Sequence, residues 1–176
     1  MKRNYMQFCV ELTNHCNFKC VYCPHSLYGE EDTPSGSVFT RRKGFMDPDI
    51  FRKTISEAQT WAKSYSMGFF GEQQMHPKFD ELIQGVPKRK DRNFHFSLNT
   101  NWSLVTKETI ETLKCFDQIR ISIDASTKEV WEALCPGSDL LTKDGVKGEG
   151  RYETLIEKIK WFLKLQDRPK VLLIYV

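Results

Sequence analysis

Apolar positions along this chain follow two periods in turn. In "QFCVEL" (7–12) Phe8, Val10 and Leu12 alternate with Gln7, Cys9 and Glu11. In "FHFSLN" (94–99) Phe94, Phe96 and Leu98 alternate with His95, Ser97 and Asn99, and in "QIRISID" (118–124) Ile119, Ile121 and Ile123 alternate with Gln118, Arg120, Ser122 and Asp124. A period of two marks a strand with one greasy and one polar face. Together with the runs near 64–70 and 170–176, the pattern predicts strands near 6–12, 64–70, 94–99, 118–124 and 170–176. Between them the period lengthens to that of a helix, near 48–63, 79–85, 107–115 and 152–165, with a shorter helix near 126–134. Asp47 and Pro48 suit the N-cap and first turn of the first helix, and Phe51, Ile55, Ala58 and Ala62 share its stripe. In the last helix Tyr152, Leu155, Ile156, Ile159, Phe162 and Leu163 recur at helical spacing, and Ser126 with Glu129 reads as a capping box for the short one.

Strands alternating with helices of these lengths imply parallel βαβ units with right-handed crossovers. The expected class is α/β, an open or partial (β/α) barrel of about five parallel strands. The polar faces are what stands out. Parallel strands covered on both sides read as continuous apolar runs, and an ordinary (β/α)8 barrel fills its interior with branched aliphatics. Here the polar faces are expected to line a common interior, with Glu11, Ser97, Asn99, Ser122 and Asp124 pointing into one cavity. Buried polar groups need partners, and a large polar ligand is the simplest. A two-layer sheet with one solvated face is the alternative.

Composition narrows the class. The 176 residues, 40% hydrophobic and 28% charged, suit one soluble domain spanning 1–176 with a real core. A net charge of +3 and two isolated basic runs, "RRK" (41–43) and "KRK" (88–90), make no nucleic-acid footprint. The opening "MKRNYMQFCV" lacks the apolar run of a secretory signal, and no stretch reaches membrane-spanning length. The expected location is the cytoplasm, where the 6 cysteines serve as thiols or metal ligands rather than disulfides.

Three of those cysteines stand in "CNFKCVYC" (16–23), just past the first strand, at the strand end where α/β proteins bind ligands. Cys16, Cys20 and Cys23 can grip three irons of a cubane [4Fe–4S] cluster and leave the fourth without a protein ligand. An open metal position suits catalysis. Zinc with His15 or His25 as fourth ligand is the alternative.

The CX3CX2C spacing, with an aromatic just before the last cysteine, resembles the radical S-adenosylmethionine (SAM) superfamily. Three further stretches carry the likeness. "FFGEQQMHPKF" (69–79) is similar to that family's "GGEP" segment, with Phe70 and Gln73 in place of the first glycine and the proline. "SLNTN" (97–101) resembles its third-strand asparagine motif and "ISIDAS" (121–126) its fourth-strand serine and aspartate motif. The resemblance implies a partial radical SAM barrel, a [4Fe–4S] cluster on Cys16, Cys20 and Cys23, and SAM chelating the open iron. It implies an enzyme that cleaves SAM reductively to a 5′-deoxyadenosyl radical, which abstracts hydrogen from a peptide or small metabolite. Gly71 and Glu72 would hold the methionyl amino group, Asn99, Ser122 and Asp124 would face ribose or carboxylate oxygens, and Tyr22 would lie near the adenine. An external donor such as flavodoxin or ferredoxin would supply the electron. An iron–sulfur electron-transfer or binding module that never cleaves SAM is the alternative function.

This sequence departs from the family at several points. Where relatives often carry an arginine before "PG", Cys135 stands in "LCPGS", so Arg151 or Arg120 is the candidate for the SAM carboxylate. Cys9, Cys115 and Cys135 are too dispersed for a second cluster and read as free thiols. The loop between Pro24 and Met46 is expected to be irregular and to cover the cavity mouth. The pattern is closest to SPASM- and Twitch-type members, whose C-terminal extension is absent here; the apolar "KVLLIYV" therefore points to a missing C-terminal part or a partner chain that covers the last strand.

Overall fold

The computed structural model describes residues 6–24, 42–135 and 151–175. Five strands form one sheet: β1 (Gln7–Val10), β2 (Ser64–Met67), β3 (His95–Thr100), β4 (Gln118–Ser122) and β5 (Lys170–Ile174). All neighbours pair in parallel, in the order β1-β2-β3-β4-β5. Helices α1 (Pro48–Trp61), α2 (Phe79–Gln84), α3 (Ile110–Leu113), α4 (Lys128–Leu134) and α5 (Arg151–Leu163) fall between them. Spatial order therefore equals chain order. A doubly wound sheet reverses direction at a switch point and covers both faces. In a singly wound sheet, crossovers of one hand put every helix on the same face and leave the other for a site.

The ladder register shows which residues share each face. Val10, Met67, Leu98, Ile119 and Val171 stand in one row across the sheet. The first four are buried among the helices with Phe51, Ile55 and Ala58 of α1 and Leu155, Ile159 and Phe162 of α5. Cys9, Ser66, Ser97 and Gln118 form the adjacent row, on the opposite face. The alternation in the sequence is thus the alternation of the sheet.

Local chemistry sets the element ends. Asp47 caps α1, its carboxylate accepting from the N–H groups of Asp49 and Ile50, with Pro48 as the first helical residue. At α4 the expectation needs correcting. The cap is Thr127, whose hydroxyl accepts from Val130 N–H, so the Ser126–Glu129 capping box does not form. The helix expected over 107–115 shrinks to α3. Thr109 Oγ1 both accepts from Thr106 N–H (3.1 Å) and donates to its carbonyl (3.0 Å), which holds the preceding residues as a turn. No helix among the described residues is long and apolar enough to cross a membrane.

Candidate functional site

The segment 11–23, which carries the three motif cysteines, crosses the C-terminal ends of β2, β3 and β4 in turn. It meets the end of β2 first. Gly71 adopts φ +77, and a Cβ there would lie 2.5 Å from the Thr13 carbonyl and 2.7 Å from that of His15. Only glycine lets the two backbones approach so closely. Glu72 N–H donates to the His15 carbonyl at 2.8 Å. Gln73, fully buried, takes the place of the family proline and ties the end of β1 down: its Oε1 accepts from Leu12 N–H at 2.6 Å and its Nε2 donates to the Thr13 carbonyl at 3.3 Å.

At the end of β3 the contacts run through Asn101. Its Nδ2 donates to Asn17 Oδ1 at 3.0 Å and approaches Cys16 Sγ at 4.0 Å, while Phe18 N–H points at the same sulfur from 3.4 Å. Asn101 N–H in turn donates to Glu72 Oε2 at 2.7 Å. Thr100 Oγ1 and Gln74 N–H complete the shell of Glu72, at 2.9 and 3.4 Å. Of the two asparagines in "SLNTN", the sequence pointed to Asn99, but Asn101 is the one beside the cysteines. The second "N" was visible in the motif and nothing in a period of two ranked it.

β4 supplies the third anchor. Asp124 takes a left-handed φ of 64, which turns its carboxylate to accept from the Tyr22 hydroxyl. Val21 N–H donates to the Leu134 carbonyl at 2.8 Å, and Cys20 Sγ lies 3.4 Å from Cys135 Sγ. Cys135 is thus a free thiol as expected, but it is not dispersed from the cysteine loop. The two cysteines are 115 positions apart and meet because the end of α4 packs against the cysteine loop. Cys9, exposed on β1, and Cys115 remain apart from the loop as free thiols.

The polar face carries a second set of contacts. Gly68 adopts φ +103 under Asn99, where a Cβ would stand 3.1 Å from that of Asn99. Asn99 Nδ2 donates to the Gly68 carbonyl at 3.3 Å, and Arg120 Nη1 donates to Asn99 Oδ1 at 3.4 Å. Ser122 is half-buried, beside Ile174 in the register. Of the two candidate arginines, Arg120 belongs to this face, whereas Arg151 packs its guanidinium over the Trp131 ring at 5.9 Å. A cavity of about 430 Å³ opens beside β1, between Glu11–Asn14 and the segment Arg42–Ile50. It includes Glu11 and none of the other four residues expected to share one cavity. Residues 42–46 run antiparallel to the stretch after β1, through Thr13 and Phe45, on the cysteine side; the remainder of the 24–46 loop, like His25, lies outside the described residues.

Burial sets the electrostatics. It pushes the Cys16 thiol up to about 12 and the Glu72 carboxyl up to about 7. Asp124 is raised by burial, with the Tyr22 hydrogen bond opposing, and Tyr22 is raised by burial and that same bond. Cys20 is lowered, first by the hydrogen bond from Cys135, whose own thiol is raised by it.

The donor set fits an iron–sulfur cluster. Among the described residues no three His, Cys, Asp or Glu side chains are grouped to hold a single metal ion, and His15 stacks on Phe45 at 4.7 Å. Thiolates on separate irons of a cubane do not share one ion. The Phe18 N–H and the Asn101 side-chain amide facing Cys16 Sγ are the kind of contacts that cluster thiolates accept.

A singly wound parallel sheet with a three-cysteine loop over its C-terminal ends defines a partial (β/α) barrel with a candidate iron–sulfur site. Residues 10–176 match the model of the Radical SAM superfamily, and the chain belongs to that superfamily. The cofactors of this family of enzymes are a [4Fe–4S] cluster and SAM. The chain is 29% identical over 106 residues to the tungsten-containing aldehyde ferredoxin oxidoreductase cofactor-modifying protein of Pyrococcus furiosus, covering 59% of this chain and 26% of that one. It is 27% identical over 145 residues to a probable GTP 3′,8-cyclase of Methanocella arvoryzae, covering 78% and 41%. It therefore spans well under half the length of these relatives. In fold it is similar to SuiB of Streptococcus suis, solved with its precursor peptide SuiA, at a TM-score of 0.66 and 16% identity over 96% of this chain and 33% of that one.

Proposed function

We propose that the chain is the SAM-cleaving core of an enzyme that begins radical chemistry by hydrogen abstraction from a peptide or small metabolite. The observation that carries this reading is the cysteine segment itself, held across three strand ends by Gly71, Asn101 and Asp124. Cys16, Cys20 and Cys23 hold the cluster. With SAM bound beside it, that cluster would supply the radical chemistry that starts hydrogen abstraction, reduced by an electron from an external donor.

The residues around the loop divide the work of holding SAM. Gly71 and Glu72 serve the methionyl amino end, where a buried carboxylate favours a cation. Asn99, Ser122 and Asp124 serve ribose and carboxylate oxygens, with Arg120 beside Asn99. Tyr22, 39% exposed and tethered to Asp124, offers a ring to the adenine. The SPASM/Twitch subtype, a cytoplasmic setting and an electron donor such as flavodoxin or ferredoxin belong to the same proposal. So does a further domain or partner over β5, where Leu173, Ile174 and Tyr175 are exposed. The likeness to SuiB, solved with a peptide, supports the peptide arm of the substrate class; the relative named as a GTP cyclase supports the small-molecule arm.

Anaerobic reconstitution with iron and sulfide, followed by reduction in the presence of SAM, tests the proposal. The expected result is one oxygen-sensitive [4Fe–4S] cluster per chain and release of 5′-deoxyadenosine. Stoichiometric zinc without labile sulfide would sink the cluster assignment. A cluster that forms but never cleaves SAM would leave an electron-transfer module.

A further inference from the structure

Cys135 closes α4 and is 1% exposed, with its Sγ 3.4 Å from that of Cys20. The approach does not hang on one side-chain rotation, because the backbones are fastened on both sides of it. Val21 N–H donates to the Leu134 carbonyl at 2.8 Å, and Phe18 meets Trp131 edge-on at 5.7 Å between centroids. Cys135 N–H is committed to the Trp131 carbonyl at 2.9 Å, which fixes the cap from which the thiol projects.

We infer that Cys135 is a positioning and tuning residue of the cluster site, its S–H donating to the Cys20 thiolate and raising the reduction potential of the bound cluster. The inference rests on the cluster reading above. Three cysteines complete the protein's ligand set, and the contact Cys135 makes is with a ligand sulfur. Once Cys20 binds iron its sulfur carries thiolate charge and accepts a hydrogen bond, and a buried thiol is a donor for it. An added electron places more negative charge on the cluster and its sulfurs. A donor aimed at one of them stabilises the reduced state more than the oxidised one, and hydrogen bonds to sulfur are among the factors that set such potentials. Phe18 N–H and Asn101 Nδ2 stand in the same relation to Cys16. Two of the three ligand sulfurs thus have donors built from different parts of the chain.

The test compares reconstituted wild type with Cys135→Ala and Cys135→Ser, by iron and sulfide content and by EPR-monitored redox titration. All three should carry the full cluster. In Cys135→Ala the ratio of reduced to oxidised cluster at a fixed potential should fall by up to about tenfold, a midpoint about 59 mV more negative for one electron. Cys135→Ser keeps an O–H donor and should lie between the two. An unchanged midpoint in Cys135→Ala overturns the inference, and so does loss of iron from both variants in folded protein, which would make Cys135 a ligand. The geometry has its own readout. Before reconstitution, diamide should take two electrons and two protons from the pair and leave a Cys20–Cys135 disulfide in the peptide map. Disulfides formed only among other cysteines would refute the pairing. If wild type takes up no cluster while that disulfide forms, the failure lies with the proposed function and not with the contact.

Discussion

Glu72→Gln removes a charge that the fold holds at a cost, and the cost can be read from pH. The Glu72 carboxyl is 2% exposed, and burial lifts it from 4.5 to about 7 against three hydrogen bonds that pull the other way. The folded protein therefore binds the proton more tightly than the unfolded chain. This group's contribution to stability is fully present below about pH 4.5, falls as pH rises, and is gone above about pH 7. The gap of about 2.5 pH units, at about 1.4 kcal/mol each, amounts to about 3 kcal/mol. In the variant the glutamine amide does not titrate. It keeps one oxygen for Asn101 N–H and sets its NH2 against another donor, a penalty of about 1–3 kcal/mol that does not vary with pH. Urea unfolding of both proteins without cofactors, at several pH values from 4.5 to 8, measures the difference. The wild-type stability should fall relative to the variant by about 3 kcal/mol over that range. Parallel profiles would refute the reasoning and mean that water or a counter-charge reaches Glu72.

Three other outcomes follow from the same geometry. Gly71→Ala places a Cβ 2.5 Å from the Thr13 carbonyl at φ +77, so the melting temperature should drop and cluster uptake with it; a wild-type melt would show that the two backbones can separate. Ser122→Ala should weaken SAM binding by about 1–3 kcal/mol while iron and sulfide content stays at wild type, and Asp124→Ala should weaken it similarly while also lowering cluster uptake by releasing Tyr22, read by SAM titration beside the cluster absorption spectrum; unchanged affinity in both would move the SAM pocket elsewhere. Arg92→Ala should cost about 3–5 kcal/mol in urea unfolding. It strips the guanidinium from Asp117 (2.7 Å) and the donor from the Cys115 carbonyl (2.8 Å), far from the cysteine loop, so SAM affinity should not change.

β1 to β4 were legible because each alternates greasy and polar residues, which a sheet covered on one face requires, while β5 was legible as the continuous apolar run "KVLLI". Their ends were less so, and each early stop has a local cause. β1 ends at Val10, and Leu12 N–H goes to the Gln73 side chain instead of a neighbouring strand. β2 gives way to the left-handed Gly68, and β4 stops two residues before the left-handed Asp124. Such turns are fixed by contacts from distant segments, which a periodicity cannot contain. The site was legible in the same uneven way. The three cysteines and the residues at four strand ends lie in contiguous motifs, so the chain could be read stretch by stretch. Cys135 and Asn101 reach the cysteine loop across 115 and 85 positions, through the packing of α4 and the turn after β3. Gln73 stood where the family carries a proline and read as a departure; the fold gives it a task proline could not perform, accepting from Leu12 and donating to Thr13.

That substitution bears on how the two halves of the site are joined. The segment 71–74 reaches the cysteine segment through Glu72 N–H at the His15 carbonyl and through the Gln73 side chain at Leu12 and Thr13, and reaches the end of β3 through the Glu72 carboxylate and Gln74 Oε1. Asn101, held at its N–H by that carboxylate, spends its side chain on Asn17, Ser103 and Cys16. Glu72 is therefore two hydrogen bonds from Cys16, one of the three proposed cluster ligands, along a path whose intermediate groups are backbone or a short amide. A ligand cation drawn to Glu72 would pull on the donors that the carboxylate now holds, and Asn101 is the first of them. The coupling runs both ways. A change at Cys16 that shifts Asn101 should alter how firmly Glu72 holds its proton; because the Asn101 N–H now pulls the carboxyl down, the pH profile of Asn101→Ala should show a steeper fall than the one assigned to Glu72 in the wild type. The Asn101 side chain does not touch Glu72, and a profile identical to wild type would show that the backbone alone fixes the carboxylate, with the two halves of the site independent.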